Sequence, residues 1–126
     1  MEPESALRAW ALADGTVSGL IGARFYPMKL PQVPTLPACT YSRVSYVRPD
    51  EIPFPTTRIQ VTCWAASHGE ARALAVALES AASRRKGTVS GLRIIYANVE
   101  NTIDLHDPDT GYYRAPVDFK VTYREA

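Results

Sequence analysis

The feature that most constrains the fold of this chain is the segment YYRAPVDFKVTY, residues 112–123, in which apolar and polar side chains alternate. Successive side chains of a β-strand point to opposite faces, so the segment predicts a strand with one buried face and one polar face. The apolar positions are Tyr113, Ala115, Val117, Phe119, Val121 and Tyr123; the polar ones, continuing past the segment, are Arg114, Asp118, Lys120 and Arg124. A sheet with one side in the core is therefore the starting point for the fold.

Three further strands are predicted at residues 38–47, 58–64 and 92–105, because these segments are rich in Val, Ile, Thr and Tyr. Helices are predicted over residues 3–14, with a short further turn at 16–22, and from Ser67 to the basic residues 84–86. Ser67 and Glu70 form a capping box that begins this last helix. The cations of residues 84–86 lie at its C-terminal end, where the helix dipole is negative, and Gly87 is expected to end the helix in the left-handed conformation.

Prolines predict an extended connection at residues 23–37 and a loop at residues 48–55. The resulting order is helices, two strands, a helix and two strands. It predicts one α+β domain over residues 1–126: a mostly antiparallel sheet of four strands or slightly more, with helices packed on one face.

Length, net charge and cysteine content exclude several classes of protein. A length of 126 residues suits one domain with a real core, and a net charge of +1 provides no field that would recruit nucleic acid or an anionic membrane. No apolar run approaches the ~20 residues of a membrane span, and the start MEPESALRAW lacks the features of a signal peptide. Cys39 and Cys63 form neither a disulfide framework nor a CxxC metal pattern, although their strands are neighbours and the thiols could approach each other. We expect a reduced protein made in the cytoplasm, with no cofactor and no membrane partner.

Four potential metal ligands lie close together before the last strand: Asp104, His106, Asp107 and Asp109. A calcium loop beginning at Asp107 needs Asp or Asn at its fifth position and glycine at its sixth, but the fifth is Gly111 and the sixth is not glycine. Asp104 and His106 could share a strand face, but a third ligand is missing, and the other histidine, His68, suits an exposed first helical turn. The cluster does not predict a metal site.

The same residues predict a hairpin with a five-residue loop from Asp107 to Gly111. Pro108 presets a type I turn, the Asp107 side chain bonds back to the turn, and Gly111 takes the left-handed conformation. Matching the apolar faces sets the register, which also makes Asp104 and Arg114 a cross-strand charge pair. The other predicted pairs are Leu105 with Tyr113, Ile103 with Ala115, Val99 with Phe119 and Ala97 with Val121.

No catalytic motif is present. The chain has no nucleophile elbow, phosphate-binding glycine loop or HExxH motif, and no His or Asn can be assigned to either cysteine. The basic segment SRRKG could contact phosphate, but its place at a helix end explains it without nucleic acid. More informative are Trp64, Tyr112 and Tyr46, which the alternation places on outward strand faces. Such aromatics are common at protein interfaces; the alternative is that the Pro-rich segments of the same chain cover them.

Four segments occur in a set order: LRAWALADGTVSGLIGARFYP, LPACTYSRVS, RIQVTCWAASHGEARALA and ENTIDLHDPDTGYYRAPVDFKVTYRE. Together, from Leu7 to Glu125, they resemble the tail-completion, or tail-terminator, proteins of long-tailed phages and related prophage particles. None of the four is a catalytic signature, and the ordered set carries the resemblance. One connection departs from the family pattern, which is usually glycine-rich where this chain has YVRPDEIPFPTTR.

The resemblance implies a small α+β subunit that assembles with itself into a ring, typically a hexamer, and that has no enzymatic activity. Such a ring caps the growing tail tube, ends its polymerisation and joins it to the head connector, at the tail–neck junction of the virion. The implied partners are the tail tube protein and a connector or stopper protein, with DNA only as passing cargo. We expect subunit or partner contacts at the outward aromatics and the charged face of the last strand: Trp64, Tyr46, Tyr112, Arg114, Asp118 and Lys120.

Two alternatives follow from the same sequence. One is another component of the head–tail neck, such as the stopper between connector and tail. The other is a small-ligand-binding or enzymatic α+β domain, which we would expect to be a monomer with a deep polar pocket.

Overall fold

The computed structural model of the protein describes residues 2–47, 54–83, 85–89 and 91–125. Its three helices are α1 (Pro3–Ala13), α2 (Gly15–Ile21) and α3 (His68–Ala82). Its strands are β1 (Phe25–Pro27), β2 (Ala38–Val47), β3 (Thr56–Ala65), β4 (Arg85–Val89), β5 (Leu92–Thr102), β6 (Leu105–His106) and β7 (Tyr113–Glu125). All seven belong to one sheet of order β1-β2-β3-β7-β5-β4, with β6 also paired to β7. The predicted α+β class is confirmed, but the sheet is larger than four strands.

The first two helices follow from local chemistry. Pro3 lies in the first turn of α1, where its missing N–H leaves no hydrogen bond unmade. The predicted face of α1 is buried, including Leu7 and Trp10. Asp14 then separates the two helices, because its carboxylate accepts hydrogen bonds from the backbone N–H groups of Thr16 (3.0 Å) and Val17 (3.1 Å) and so begins α2.

α3 begins where predicted, with one of the two hydrogen bonds of the predicted capping box; among the described residues, no bond from the Glu70 side chain back to the Ser67 N–H is present. The Ser67 hydroxyl accepts a hydrogen bond from the backbone N–H of Glu70 at 3.3 Å. The predicted stripe is buried: Ala71, Leu74, Ala75, Leu78 and Ala82. Its alanines let the helix lie close to the sheet, where it contacts β3, β5 and β7.

The end of α3 differs from the prediction. The left-handed helix cap expected at Gly87 is wrong, because the chain turns extended directly after the helix and Gly87 lies inside β4. The backbone groups of β4 find their hydrogen-bond partners in β5, so this segment needs no continuation of the helix to satisfy them. One predicted cation still serves the helix end: the guanidinium of Arg85 donates to the carbonyl of Ala81 at 3.2 Å. Arg84 lies outside the described residues.

The core forms where the helices meet the buried side of the strands. The alternation predicted for β3 and β7 is confirmed at the central apolar positions, which are buried. The intervening positions are more exposed except Thr62 and Pro116, which pair with each other and are also buried. The buried strand residues include Ile59, Val61, Cys63, Ala115, Val117, Phe119 and Val121, which form one cluster with the buried faces of α1, α2 and α3.

The β5–β7 register is as predicted in the middle of the strands and shifted by one residue at the tip. Val99 pairs with Phe119 and Ala97 with Val121, but a bulge follows Val99, so that Leu105 lies opposite Arg114. The predicted pairs of Leu105 with Tyr113, Ile103 with Ala115 and Asp104 with Arg114 are therefore wrong. An extra residue in one strand reverses the alternation beyond it, which a match of apolar faces does not detect.

The additional strands arise in segments without strong alternation. Residues of β1 lie in the Pro-rich connection and pair in parallel with β2, while all other strand pairs are antiparallel. Of the predicted loop at 48–55, residues 48–53 lie outside the described residues. Among the described helices, none has both the length and the apolar character that a bilayer span requires.

Candidate interaction surface

The side of the sheet that faces away from the core carries a patch of polar and aromatic residues on β3 and β7. We call it the outer patch; its members are Arg58, Gln60, Trp64, Arg114, Asp118 and Lys120. Register places them side by side: Arg58 pairs with Lys120, Gln60 with Asp118 and Trp64 with Arg114. Their chain neighbours Ile59, Val61 and Phe119 are fully buried on the other side.

The charged part of the outer patch is only partly neutralised. The amide of Gln60 donates to the Asp118 carboxylate at 3.0 Å, and Arg58 forms an ion pair of 3.0 Å with Glu100 at the β5 bulge. Lys120 is exposed and forms no ion pair within the described residues. As far as the structure describes the chain, the patch therefore presents a carboxylate held by Gln60 beside an ammonium group without an ion-pair partner.

The aromatic end of the outer patch is held in place by neighbouring side chains. The indole N–H of Trp64 donates to the Thr40 hydroxyl at 3.0 Å, and the Arg114 guanidinium lies 5.7 Å from the centre of the Trp64 ring. A cation at this distance from an indole is attracted by the ring's negative face. Trp64 and Arg114 thus lie against each other, half-buried rather than fully exposed.

The Pro-rich connection lies beside Trp64 and Tyr112 without closing over them. Residues 28–32 and 34 line an open groove of about 280 Å³ together with Trp64, Asp107, Thr110 and Tyr112. Met28 and Val33 belong to the same segment and are 75% and 89% exposed. Trp64 and Tyr112 are half-buried and line this groove together with the Pro-rich segment, and contact of either ring with a partner stays a prediction.

Tyr46 does not belong to the outer patch. A bulge between Arg43 and Ser45 reverses the alternation of β2, so that Tyr46 pairs with the buried Thr57 and lies on the other side of the sheet from Trp64. It is still 44% exposed, with the Arg43 guanidinium 5.7 Å from its ring centre. The expectation that Tyr46 lies on the outward face of its strand is wrong for this reason.

The acidic hairpin is a structural turn. The Asp107 carboxylate accepts from the backbone N–H of Asp109 at 3.0 Å, its carbonyl accepts from Gly111 at 2.8 Å, and Gly111 has a φ of 77°. Asp104 points instead to the start of α3, 3.3 Å from His68 and 3.5 Å from Arg72. Within the part of the chain that the structure describes, no three His, Cys, Asp or Glu side chains come together as metal ligands.

A second exposed surface was not anticipated from the sequence. The solvent side of α3 and the start of α2 line an open cleft of about 460 Å³, formed by Asp14, Thr16, Arg72, Ala73, Val76, Ala77 and Ser80. Val76 is 50% exposed at this cleft. The signal in the sequence was an aliphatic residue lying outside the buried stripe of α3.

Both the sequence and the structure of this chain are similar to those of known proteins. The chain matches the family described as Tail completion protein gp17 over residues 5–124. Its structure is similar to a chain of a solved structure entitled "Virion of native gene transfer agent (GTA) particle", with a TM-score of 0.78 and 15% sequence identity. That similarity covers 98% of this chain and 95% of the other. A search of curated proteins finds no match.

Proposed function

This chain belongs to the Tail completion protein gp17 family, and from that premise we propose that it forms a ring, of six subunits, that caps the tail tube. Membership makes it a structural component of a virion tail that assembles with other tail proteins. We propose that the ring ends polymerisation of the tube and joins it to the head connector, without catalysing a reaction. The observation that carries the proposal is that the family match spans nearly the whole chain, residues 5–124.

A closed ring requires two different surfaces on each subunit, because every head-to-tail contact joins one surface to another. The outer patch with its groove is the first candidate. It combines Trp64, Tyr112 and Arg114, which are residue types enriched at protein interfaces, with a polar rim of Asp118 and Lys120. The groove gives an apolar side chain of a neighbour a place to insert.

The exposed side of α3 is the second candidate. It presents the small residues Ala73 and Ser80 around the exposed Val76, so a neighbouring backbone could approach closely. This surface carries Arg72 and Asp14, which lets polar contacts surround an apolar centre. The two candidates share no residue, as a head-to-tail contact requires. Tyr46, on neither surface, remains a candidate for contact with the tube or the neck.

The mechanism we propose is steric. A ring bound to the last tube subunits covers the face on which the next tube subunits would add, and it presents a different face to the connector. DNA passes through the opening as cargo. Near-zero net charge, +1 per chain, keeps repulsion between identical subunits small.

The first experiment measures the mass of the purified protein by light scattering, for wild type and two charge-reversal variants. Lys120→Glu changes the outer patch, while Lys86→Glu changes an exposed lysine of β4 outside it. Neither lysine forms an ion pair within the described residues, so both variants should fold, which circular dichroism checks. We expect Lys120→Glu to weaken assembly and Lys86→Glu to assemble as wild type. Equal assembly of both variants would exclude the outer patch as a ring contact.

A stopper is the alternative within the neck. It would bind the connector but not the end of the tube. Incubation of the protein with tail tube protein alone separates the two roles, because a terminator shortens the tubes and a stopper leaves their length unchanged.

A further inference from the structure

The two cysteines of the chain face each other across β2 and β3. Cys39 and Cys63 are directly paired in the register, both are 0% exposed, and their sulfur atoms are 3.9 Å apart. Both thiols are free. The geometry points to a modification site: an intrachain disulfide between Cys39 and Cys63, formed by a small peroxide and absent from the reduced protein. This inference does not depend on the proposed ring.

The backbone already suits such a bond. The N–H of Cys39 donates to the carbonyl of Arg24 at 2.9 Å, toward β1, and therefore points away from β3. Cys39 and Cys63 are therefore a non-hydrogen-bonded pair of the antiparallel ladder. In such pairs the Cα atoms are about 4.5 Å apart, and the side chains lie closer together than in hydrogen-bonded pairs. Disulfides span Cα separations of about 4.4–6.8 Å, so the strands need not separate to form the bond. Rotation about the two Cα–Cβ bonds brings the sulfurs together.

The chemistry needs an oxidant that fits a closed site. Hydrogen peroxide is little larger than water: one thiolate attacks a peroxide oxygen, which forms a sulfenic acid and releases hydroxide. The second cysteine then attacks the sulfenic sulfur, the S–S bond forms and the S–O bond breaks, so that water leaves. In total, the two thiols lose two protons and two electrons, and one hydrogen peroxide becomes two waters.

Burial also explains why the pair stays reduced until a strong oxidant is present. The neighbouring Cys39 thiol and the apolar surroundings raise the pKa of the Cys63 thiol, which keeps the reactive thiolate scarce. Glutathione disulfide is too large to enter between the strands. The fold therefore slows oxidation, but it directs the product to the disulfide, because the second sulfur is already in contact with the first.

The bond would tie β2 to β3 across a loop of about 25 residues, residues 39–63. Closing a loop of this length reduces the conformational freedom of the unfolded chain, so we expect the oxidised protein to melt at a higher temperature, by up to about 13 °C.

The test treats the reduced wild-type protein with hydrogen peroxide, then unfolds it and labels any remaining thiols with a maleimide. We expect a monomeric chain lighter by two hydrogen atoms, without label, in which tryptic peptides 30–43 and 59–72 are linked. Dithiothreitol should restore both labels and the original melting temperature. Two labelled thiols, sulfinic acid on either cysteine, or chains linked to each other would each overturn the proposal.

The matched control is Cys39→Ala, which leaves Cys63 without a partner. We expect peroxide to produce sulfenic acid at Cys63, detected with a dimedone probe, and no rise in melting temperature. If a wild-type rise in melting temperature persisted in this variant, the rise would not come from the disulfide. Should Cys39→Ala fail to fold, the linked peptides of the wild type decide the question alone.

Discussion

Replacement of Leu78 by alanine tests whether α3 packs on the sheet as described. Leu78 is fully buried, and with Leu74 it is one of the two large side chains on the buried stripe of the helix. The rest of that stripe is alanine, which cannot expand to fill a space. We therefore expect the variant to leave an open cavity rather than a repacked core.

The size of the effect follows from that cavity. Buried leucine-to-alanine changes cost about 2.7–5 kcal/mol, and a site that cannot collapse lies in the middle or upper part of this range, about 3.5 kcal/mol. A chain of this length has a total stability of about 6–19 kcal/mol. With an unfolding entropy of about 2 cal/mol/K per residue, the loss lowers the melting temperature by about 10–15 °C.

The assay is urea unfolding followed by circular dichroism, with Val76→Ala as the matched control. Val76 lies on the same helix but is 50% exposed, and alanine's better helix propensity offsets the lost methyl contacts, so the control should change stability by less than about 0.5 kcal/mol. Both variants are measured at the same low protein concentration, because assembly would add stability. A Leu78→Ala loss below about 1 kcal/mol, or one equal to that of Val76→Ala, would refute the packing of α3.

Three further predictions concern single local features. Asp14→Ala removes the cap of α2 and should cost about 1 kcal/mol in urea unfolding, while a loss near zero would contradict the capping role. Gly111→Ala forces an alanine to a φ of 77° and should lower the free energy of unfolding by about 1–2 kcal/mol, although no atom crowds the position. The control is Gly69→Ala in the first turn of α3, which should leave stability unchanged or raise it in the same measurement. Burial raises the pKa of Tyr123 above its usual 10.0. Because the folded state favours the neutral phenol, the tyrosine contributes its full stabilisation below about pH 10, and this contribution is lost as the pH rises through the folded-state pKa. Wild type should therefore lose more stability than Tyr123→Phe between about pH 9 and about pH 12, and equal losses would contradict this.

The sequence predicted the parts of the fold that are set by local chemistry. Ser67 begins α3 because its hydroxyl has one backbone partner three residues ahead, and this signal is visible in four letters. The alternation of β7 predicted its buried positions because a strand with one core face leaves little freedom in where apolar residues go. Likewise, Cys39 and Cys63 approach each other because their strands are adjacent.

The parts that the sequence did not predict depend on single irregularities. A bulge adds one residue without any compositional signal, and it reverses every later position of the strand. The bulge after Val99 moved Asp104 away from Arg114, and the bulge in β2 moved Tyr46 to the other side of the sheet. The edge strands β1 and β4 were missed because pairing with a neighbouring strand, not alternation, determines them.

The sequence predicted the outer patch but neither the groove beside it nor the cleft at α3. Trp64, Arg114, Asp118 and Lys120 lie together because both of their strands keep a regular register there. The groove beside Trp64 depends on the path of the Pro-rich connection, which the sequence describes only as extended. The cleft at Val76 needs the relative position of two helices, which local patterns do not give.

The most direct test of the proposed function is electron microscopy of tail tubes polymerised with and without this protein. We predict tubes of limited length that carry a ring on one end, about 100 Å across if six domains of roughly 30 Å surround the channel. Tubes that grow to the same length with and without the protein, with both ends bare, would contradict the proposal.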